Sequence, residues 1–171
     1  IHNYLQLIKN DKYDKYDKDD NIEPKDFIGP SSAPLQIANI VEKTEDVNLV
    51  NIRENYTVTD KADGDRKMMY ISQTGKIYLI TTLMNIQFTG AETKTAKLFN
   101  SLFDGEHIKY DKTGKFINLY AAFDIYILGG RDIRKLEFVS TSLEDDQNTF
   151  RLPILTKVIS KLDAVFIGTT N

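Results

Sequence analysis

The sequence contains no cysteine, and only His2 and His107 among its 171 residues carry an imidazole. Disulfide frameworks, thiolate zinc sites and thiol nucleophiles are therefore excluded, and any metal chemistry must use oxygen ligands. Long hydrophobic runs are also missing, since none approaches the roughly 18 residues of a membrane-spanning helix. No basic segment followed by an apolar one opens the sequence. We therefore expect an intracellular protein with no membrane partner.

Neither sign of charge dominates. The chain has 22 basic and 25 acidic side chains, a net charge of -3 and a pI near 5.4. This balance argues against general electrostatic wrapping of nucleic acid, although a local basic cleft fits within it. With 41% hydrophobic and 27% charged residues, a chain of this length is able to bury one complete core.

The first 26 residues are predicted to form an N-terminal segment with a charged linker. Within it, residues 11–20 read DKYDKYDKDD and repeat with a period of three, which matches neither a strand face nor a helix stripe. The folded domain would then occupy residues 27–171. Its first predicted element is a helix that starts near Ser31 and carries an apolar face as far as Lys43.

From Tyr56 onward, short runs rich in Val, Ile, Tyr and Thr are separated by turn residues, which predicts an antiparallel sheet. Thr74-Gly75 and the DKTG sequence at 111–114 are predicted to close two hairpins. An amphipathic helix is predicted to begin at Pro153, because apolar residues recur there at i, i+4 spacing. The predicted strands are 56–59, 67–72, 76–81, 85–89, about 99–110 and 115–128. The predicted fold class is therefore α+β.

The most informative stretch for function is KADGDR at residues 61–66. A nucleophilic lysine must lose its proton, and each unit by which its pKa falls from about 10.4 costs about 1.4 kcal/mol. A positive neighbour such as Arg66 and a bound divalent cation would favour the neutral amine. Gly64 would let the backbone turn closely around a nucleotide. The same residues also suit a solvated hairpin loop, so both interpretations stay open at this point.

Two further stretches carry carboxylates. In an extended strand Asp104 and Glu106 project to one face, where a cation or ribose hydroxyls would relieve their repulsion. The alternatives are a solvated sheet face and a turn at Asp104-Gly105. By alternation Phe123 shares a face with Ile125 and is a core residue, unless its ring stacks on a nucleobase. Asp124 lies in an apolar strand and needs a partner, which is an arginine, a main-chain donor or the site itself.

These stretches together resemble the covalent nucleotidyltransferase superfamily, which contains the mRNA-capping guanylyltransferases and the ATP-dependent DNA and RNA ligases. The KxDGxR motif of that family is matched at 61–66, the DGE that ends its third motif at 104–106, and an aromatic-Asp pair at Phe123-Asp124. The flanking sequences FIGPSSAPLQI at 27–37 and FDIYILGGRDIRKL at 123–136 favour a guanylyltransferase domain of a capping enzyme. The resemblance is closest to capping enzymes of large DNA viruses.

The resemblance implies the front part of an antiparallel nucleotidyltransferase lobe, of the ATP-grasp-like or DNA-ligase-type adenylation kind, with the OB lobe absent from this chain. Lys61 would attack the α-phosphate of GTP, release pyrophosphate and later pass GMP to the 5′-diphosphate end of RNA. Asp63 would lie beside the lysine, and Arg66 would contact the ribose. Phe123 would stack on guanine. Glu106 would accept a ribose hydroxyl or help to hold a metal.

The resemblance also implies Mg²⁺ or Mn²⁺ as a cofactor, because phosphoryl transfer depends on positioning and on neutralising charge. The implied partners are GTP, the 5′ end of RNA and other domains of the same capping polypeptide. The implied location is the cytoplasm, a virion or a viral factory in an infected host.

Two other functions stay open. An ATP-dependent ligase that forms lysyl-AMP shares the first motif and DGE, so the motifs do not separate GTP from ATP. A non-catalytic nucleotidyltransferase-like binding module would form no adduct. The later family motifs, an EGxx strand and a KxK pair, are not found before Asn171, and we therefore expect the chain to be a fragment of the catalytic domain.

Overall fold

The computed structural model describes residue 4 and residues 23–42, 50–54, 56–140, 142 and 145–167. The chain divides into two compact units, one of residues 30–61 and one of residues 1–29 with 62–171. The linker predicted at 11–20 lies outside the described residues, and the predicted domain boundary after residue 26 stays a prediction. In the described part of the chain, none of the helices has both the length and the apolar character of a membrane span.

The unit that contains residues 62–171 is built on an antiparallel sheet. Its described strands are β1 (Asp65–Ile71), β2 (Lys76–Thr81), β3 (Ile86–Glu92), β4 (Ser101–Tyr110), β5 (Phe116–Leu128), β6 (Arg131–Asp132) and β7 (Val165–Phe166). These seven strands lie in the order β6-β5-β4-β1-β2-β3-β7. Most neighbours in the sheet are also neighbours in sequence, but β4 pairs with β1, and this long-range pairing positions the candidate site.

The two predicted hairpins are confirmed. Gly75 has a φ of 83° in the turn between β1 and β2, and Gly114 has a φ of 81° between β4 and β5. Both values lie in the left-handed region that glycine adopts without steric cost. In the second turn the Asp111 carboxylate accepts hydrogen bonds from the backbone N–H groups of Thr113 and Lys115, at 2.8 and 3.0 Å.

The core lies on both faces of the sheet, which explains why consecutive apolar residues of β1, from Met68 to Ile71, are all buried. Met68 and Tyr70 of β1 pack in one buried cluster, while Met69 and Ile71 pack in the other. The helix α1 (Arg151–Ile159) covers the second cluster with its buried residues Leu155 and Val158. The predicted C-terminal helix is thereby confirmed, and it begins two residues earlier than Pro153.

Two predicted elements are wrong. Residues 56–59 form no strand, and Tyr56 and Val58 are exposed, because alternation alone does not make a strand where no face is buried. The helix predicted from Ser31 shrinks, in the part that the structure describes, to the 3-10 helix Ile37–Asn39. Its apolar side chains are exposed, and a short helix without a buried face is not stable by itself.

Candidate functional site

The pairing of β1 with β4 brings together two motifs that lie far apart in the sequence. Arg66 lies opposite Glu106, and Met68 lies opposite Asp104. Because side chains alternate along a strand, Arg66, Asp104 and Glu106 share one face of the sheet. The predicted common face of the two carboxylates is confirmed.

Asp104 is fully buried and holds Arg66 in a bidentate ion pair. The Arg66 Nε donates to Asp104 Oδ1 at 3.1 Å, and a terminal nitrogen donates to Oδ2 at 2.5 Å. The Tyr126 hydroxyl donates to the same Oδ2 at 2.7 Å. Hydrogen bonding to Asp104 raises the pKa of Arg66, while burial and the nearby Asp104 charge raise the pKa of Tyr126. The positive partner that the Asp104 carboxylate needs is therefore the guanidinium of Arg66.

The Arg66 guanidinium also contacts an aromatic ring. The Phe27 ring lies against the guanidinium, with its centroid 5.5 Å from the central carbon. This is within the range of a cation–π contact. The guanidinium therefore has a fixed position, set by a carboxylate and a ring.

Glu106 differs from Asp104 in having no such partner. Its side chain is half-buried, and no residue that the structure describes gives its carboxylate a hydrogen bond or an ion pair. Gly64 packs directly against it: a Cβ at Gly64 would lie 3.1 Å from Glu106 Cγ and 2.6 Å from the carbonyl oxygen of His107. The glycine of the first motif therefore allows the loop before β1 to approach β4.

The carboxylate of Glu106 has the chemistry of a Mg²⁺ or Mn²⁺ ligand. No group of three or more metal-ligating side chains occurs among the described residues. Mg²⁺, however, commonly binds through one or two carboxylates, with water and substrate phosphates completing its shell. The residues present therefore fit a metal that is held mainly by a nucleotide.

Gly105, between the two carboxylates, makes room for an aromatic ring. A Cβ at this position would lie 2.5 Å from Cζ of Tyr120 and 2.7 Å from the Ala121 carbonyl oxygen. The Tyr120 hydroxyl donates to the Lys67 carbonyl oxygen at 2.9 Å, and so ties β5 across β4 to β1. Asp104 and Gly105 of the DGE motif thus have separate structural roles, in holding Arg66 and in admitting the Tyr120 ring.

Phe123 is not a core residue, and the alternation that suggested this is wrong here. Asp104 pairs with Asp124 and Gly105 with Ala122, so Phe123 is the extra residue of a β-bulge. Ile125 is fully buried, whereas Phe123 is 38% exposed. An exposed ring beside the DGE motif is compatible with base stacking, which stays a prediction.

Asp124 finds its partner on α1. Arg151 donates to both carboxylate oxygens, from Nε at 2.9 Å and from a terminal nitrogen at 3.2 Å. The Ile125 backbone N–H also donates to Asp124 at 2.8 Å. Of the alternatives that the sequence left open, the structure selects an arginine together with a main-chain donor, and Asp124 anchors the helix.

The loop before β1 carries Lys61 and Asp63. Neither residue lies in a helix or strand, and both side chains are exposed. Lys61 belongs to the unit of residues 30–61, and Asp63 belongs to the unit of the sheet. The roles predicted for Lys61, Asp63, Arg66, Glu106 and Phe123 stay predictions.

A row of hydrogen-bonded polar side chains that sequence reasoning missed lies on the opposite face of β1 and β4, with Lys67 and His107 buried and Asn118 exposed. Lys67 Nζ is 2.8 Å from His107 Nδ1, and His107 Nε2 is 2.8 Å from Asn118 Oδ1. The Asn118 oxygen requires a proton on Nε2, so Nδ1 accepts a hydrogen bond from the lysine. Only the pairings of β4 with β1 and with β5 bring these three side chains together, because nothing local in the sequence connects their positions.

A cavity of about 610 Å³ lies elsewhere, where α1 packs on the sheet. Its apolar lining includes Leu128, Ile133 and Val158, with Arg131 and Lys157 among its charged residues. None of the predicted site residues lines it. The candidate site is therefore the open face of β1 and β4 around Glu106, rather than this cavity.

Comparison with known proteins identifies a family for this chain. The family model described as "mRNA capping enzyme, catalytic domain" matches residues 21–156, a range that contains every predicted site residue. A probable mRNA-capping enzyme of Acanthamoeba polyphaga mimivirus is 29% identical over 131 residues, which cover 74% of this chain. The chain spans about a tenth of the length of this curated relative.

Proposed function

Because this chain belongs to the mRNA capping enzyme catalytic-domain family, we propose that it contributes the nucleotide-binding lobe of an mRNA guanylyltransferase. The observation that carries the proposal is the β1–β4 pairing, in which Arg66, held by Asp104, lies opposite Glu106, whose carboxylate has no partner among the described residues. The lobe would be of the ATP-grasp-like, DNA-ligase-type adenylation kind. Its substrates would be GTP and the 5′-diphosphate end of RNA.

Arg66 and Glu106 would orient the nucleotide. The ion pair with Asp104 holds the guanidinium before any ligand arrives, so binding loses little side-chain entropy. Glu106 would accept a ribose hydroxyl or serve as one ligand of Mg²⁺ or Mn²⁺. Such a metal would neutralise phosphate charge, which is the chemistry it supplies in phosphoryl transfer. Phe123 would stack on the base.

Lys61 would be the nucleophile. Its unprotonated Nζ would form a bond to the α-phosphorus of GTP, while the bond from that phosphorus to the bridging oxygen breaks. Pyrophosphate then leaves, and the nitrogen loses one proton to solvent. An oxygen of the RNA 5′-diphosphate would then attack the same phosphorus, break the P–N bond and return the lysine.

The decisive experiment is transfer of label from α-labelled GTP or ATP to the full-length protein with Mg²⁺. We expect an acid-labile adduct from GTP that Lys61→Ala abolishes. Lys97→Ala, which changes an exposed lysine outside the site, is the matched control and should label normally. Label from ATP alone would contradict the capping assignment in favour of a ligase. Absence of label from both nucleotides would favour a binding module.

The proposed partners beyond GTP are other domains of the same polypeptide and the acceptor RNA. The chain aligns with about a tenth of the mimivirus protein, which supports the presence of other domains on the same polypeptide. RNA would be the acceptor of GMP. A cytoplasmic or viral-factory location stays a prediction.

A further inference from the structure

An exposed apolar stripe on the β4–β5 hairpin leads away from Glu106. Ile108 pairs with Leu119, and Tyr110 pairs with Phe116. Since Glu106, Ile108 and Tyr110 alternate along β4, they lie on one face of the strand, and their β5 partners lie beside them. The four residues Ile108, Tyr110, Phe116 and Leu119 are called the hairpin stripe below.

The hairpin stripe is unusually open to solvent for apolar side chains. Tyr110 is 59% exposed, Phe116 61% and Leu119 50%. The two rings contact each other edge to face, with centroids 5.6 Å apart. Contiguous exposed apolar surface of this kind often marks a binding surface.

The hairpin tip next to the stripe is positively charged. Lys112 and Lys115 are exposed, and neither forms an ion pair with any residue in the described ranges. The acidic residue at the tip, Asp111, uses one carboxylate oxygen to accept the hydrogen bonds that close the turn. Lys109, one residue before Tyr110, lies 3.5 Å from the Asp65 carboxylate.

Aromatic rings beside lysines are the combination that binds single-stranded nucleic acid, since bases stack on the rings and phosphates contact the cations. An apolar protein segment would cover the rings but would leave the two lysines without partners. We propose that the hairpin stripe and its lysine tip bind the RNA strand that accepts GMP. The role of this RNA as acceptor rests on the proposed function; its recognition by the hairpin does not.

The position of the stripe suits an acceptor strand. Tyr110 is four residues from Glu106 along β4, a separation of about 14 Å at 3.4 Å per residue. A strand seated on the rings therefore has its end near the carboxylate proposed to hold the nucleotide. Both sites lie on the same face of the same strand.

The first test replaces the rings. Tyr110→Ala with Phe116→Ala should weaken binding of a 5′-diphosphate single-stranded RNA by about tenfold or more, measured by fluorescence anisotropy. The KM for RNA in GMP transfer should rise by a similar factor. The rate at which lysyl-GMP forms from GTP should stay unchanged. Phe166→Ala, an exposed aromatic on β7 at the opposite edge of the sheet, is the control and should bind RNA normally.

The second test neutralises the tip. Lys112→Gln with Lys115→Gln removes two phosphate contacts, so the slope of log K against log salt should fall by about 1.4. Lys97→Gln with Lys161→Gln removes the same charge elsewhere and should leave the slope unchanged. RNA affinity and salt slope equal to the starting protein in both hairpin variants would overturn the proposal and assign the stripe to a protein segment.

The two proposals fail separately. If the unmodified protein forms no lysyl-GMP but its RNA binding depends on the hairpin, the guanylyltransferase assignment fails and the RNA surface stands. If the adduct forms and the hairpin variants do not change GMP transfer, the proposed RNA-binding surface is wrong and the catalytic assignment stands.

Discussion

Replacing Asp104 with asparagine should destabilise the domain by about 3 kcal/mol. Breaking a buried ion pair by removing one partner typically costs about 3–5 kcal/mol, because the other charge loses its compensation. The lower value of this energy range applies, since the Arg66 side chain is 26% exposed and water screens part of its charge. Asparagine also keeps an oxygen that accepts the Tyr126 hydroxyl hydrogen bond.

Asp132→Asn is the matched control for this measurement. Arg134 and Asp132 approach to the same 2.5 Å and are also bidentate, but their side chains are 38% and 25% exposed. The asparagine variant should therefore cost about 1 kcal/mol or less. The two pairs differ in burial far more than in geometry, so the comparison isolates the effect of burial.

The assay is urea unfolding, with the free energy of unfolding taken from the midpoint and slope. For a domain of this size the expected loss corresponds to a fall of about 6–12 °C in Tm. An equal cost for Asp104→Asn and Asp132→Asn would refute the reasoning. A further check is GTP affinity, which should fall only in the Asp104 variant, because Arg66 loses its fixed position.

Three other outcomes are expected. Tyr70→Phe should raise the free energy of unfolding by up to about 1 kcal/mol in urea titrations, because the Tyr70 hydroxyl is buried without a hydrogen-bond partner among the described residues. Burial also raises the pKa of this hydroxyl to about 12. A lower free energy of unfolding in the variant would contradict this. Gly64→Ala should cost about 1–3 kcal/mol, since its Cβ would press on the His107 carbonyl, and a thermal melt that matches the parent would argue against this close approach. Hydrogen bonds from Thr93 and Thr95 lower the pKa of Asp163, so its stabilising effect is complete above about pH 4 and is lost as pH falls. Asp163→Asn should therefore flatten the acid side of the stability profile, and an unchanged profile would count against these hydrogen bonds.

Local sequence was sufficient to predict the strands that are separated by clear turn residues. The strands β1 and β2 around Gly75, and β4 and β5 around Gly114, follow from runs of apolar, aromatic and β-branched residues and from glycines with positive φ. Strand prediction at 56–59 was wrong because the same residue types occur there without a buried face. The two-residue strands β6 and β7 carry too little pattern to be predicted at all.

The sequence by itself determined the residue types of the candidate site, the glycines that its close contacts require, and the resemblance to the capping family. Only the tertiary structure decided that Asp104 holds Arg66, that Glu106 has no partner in the part of the chain that the structure describes, and that a bulge exposes Phe123. The physical reason is that these outcomes depend on the register between β4 and its neighbours β1 and β5. That register is selected by burying two apolar faces at once, and no local propensity encodes it.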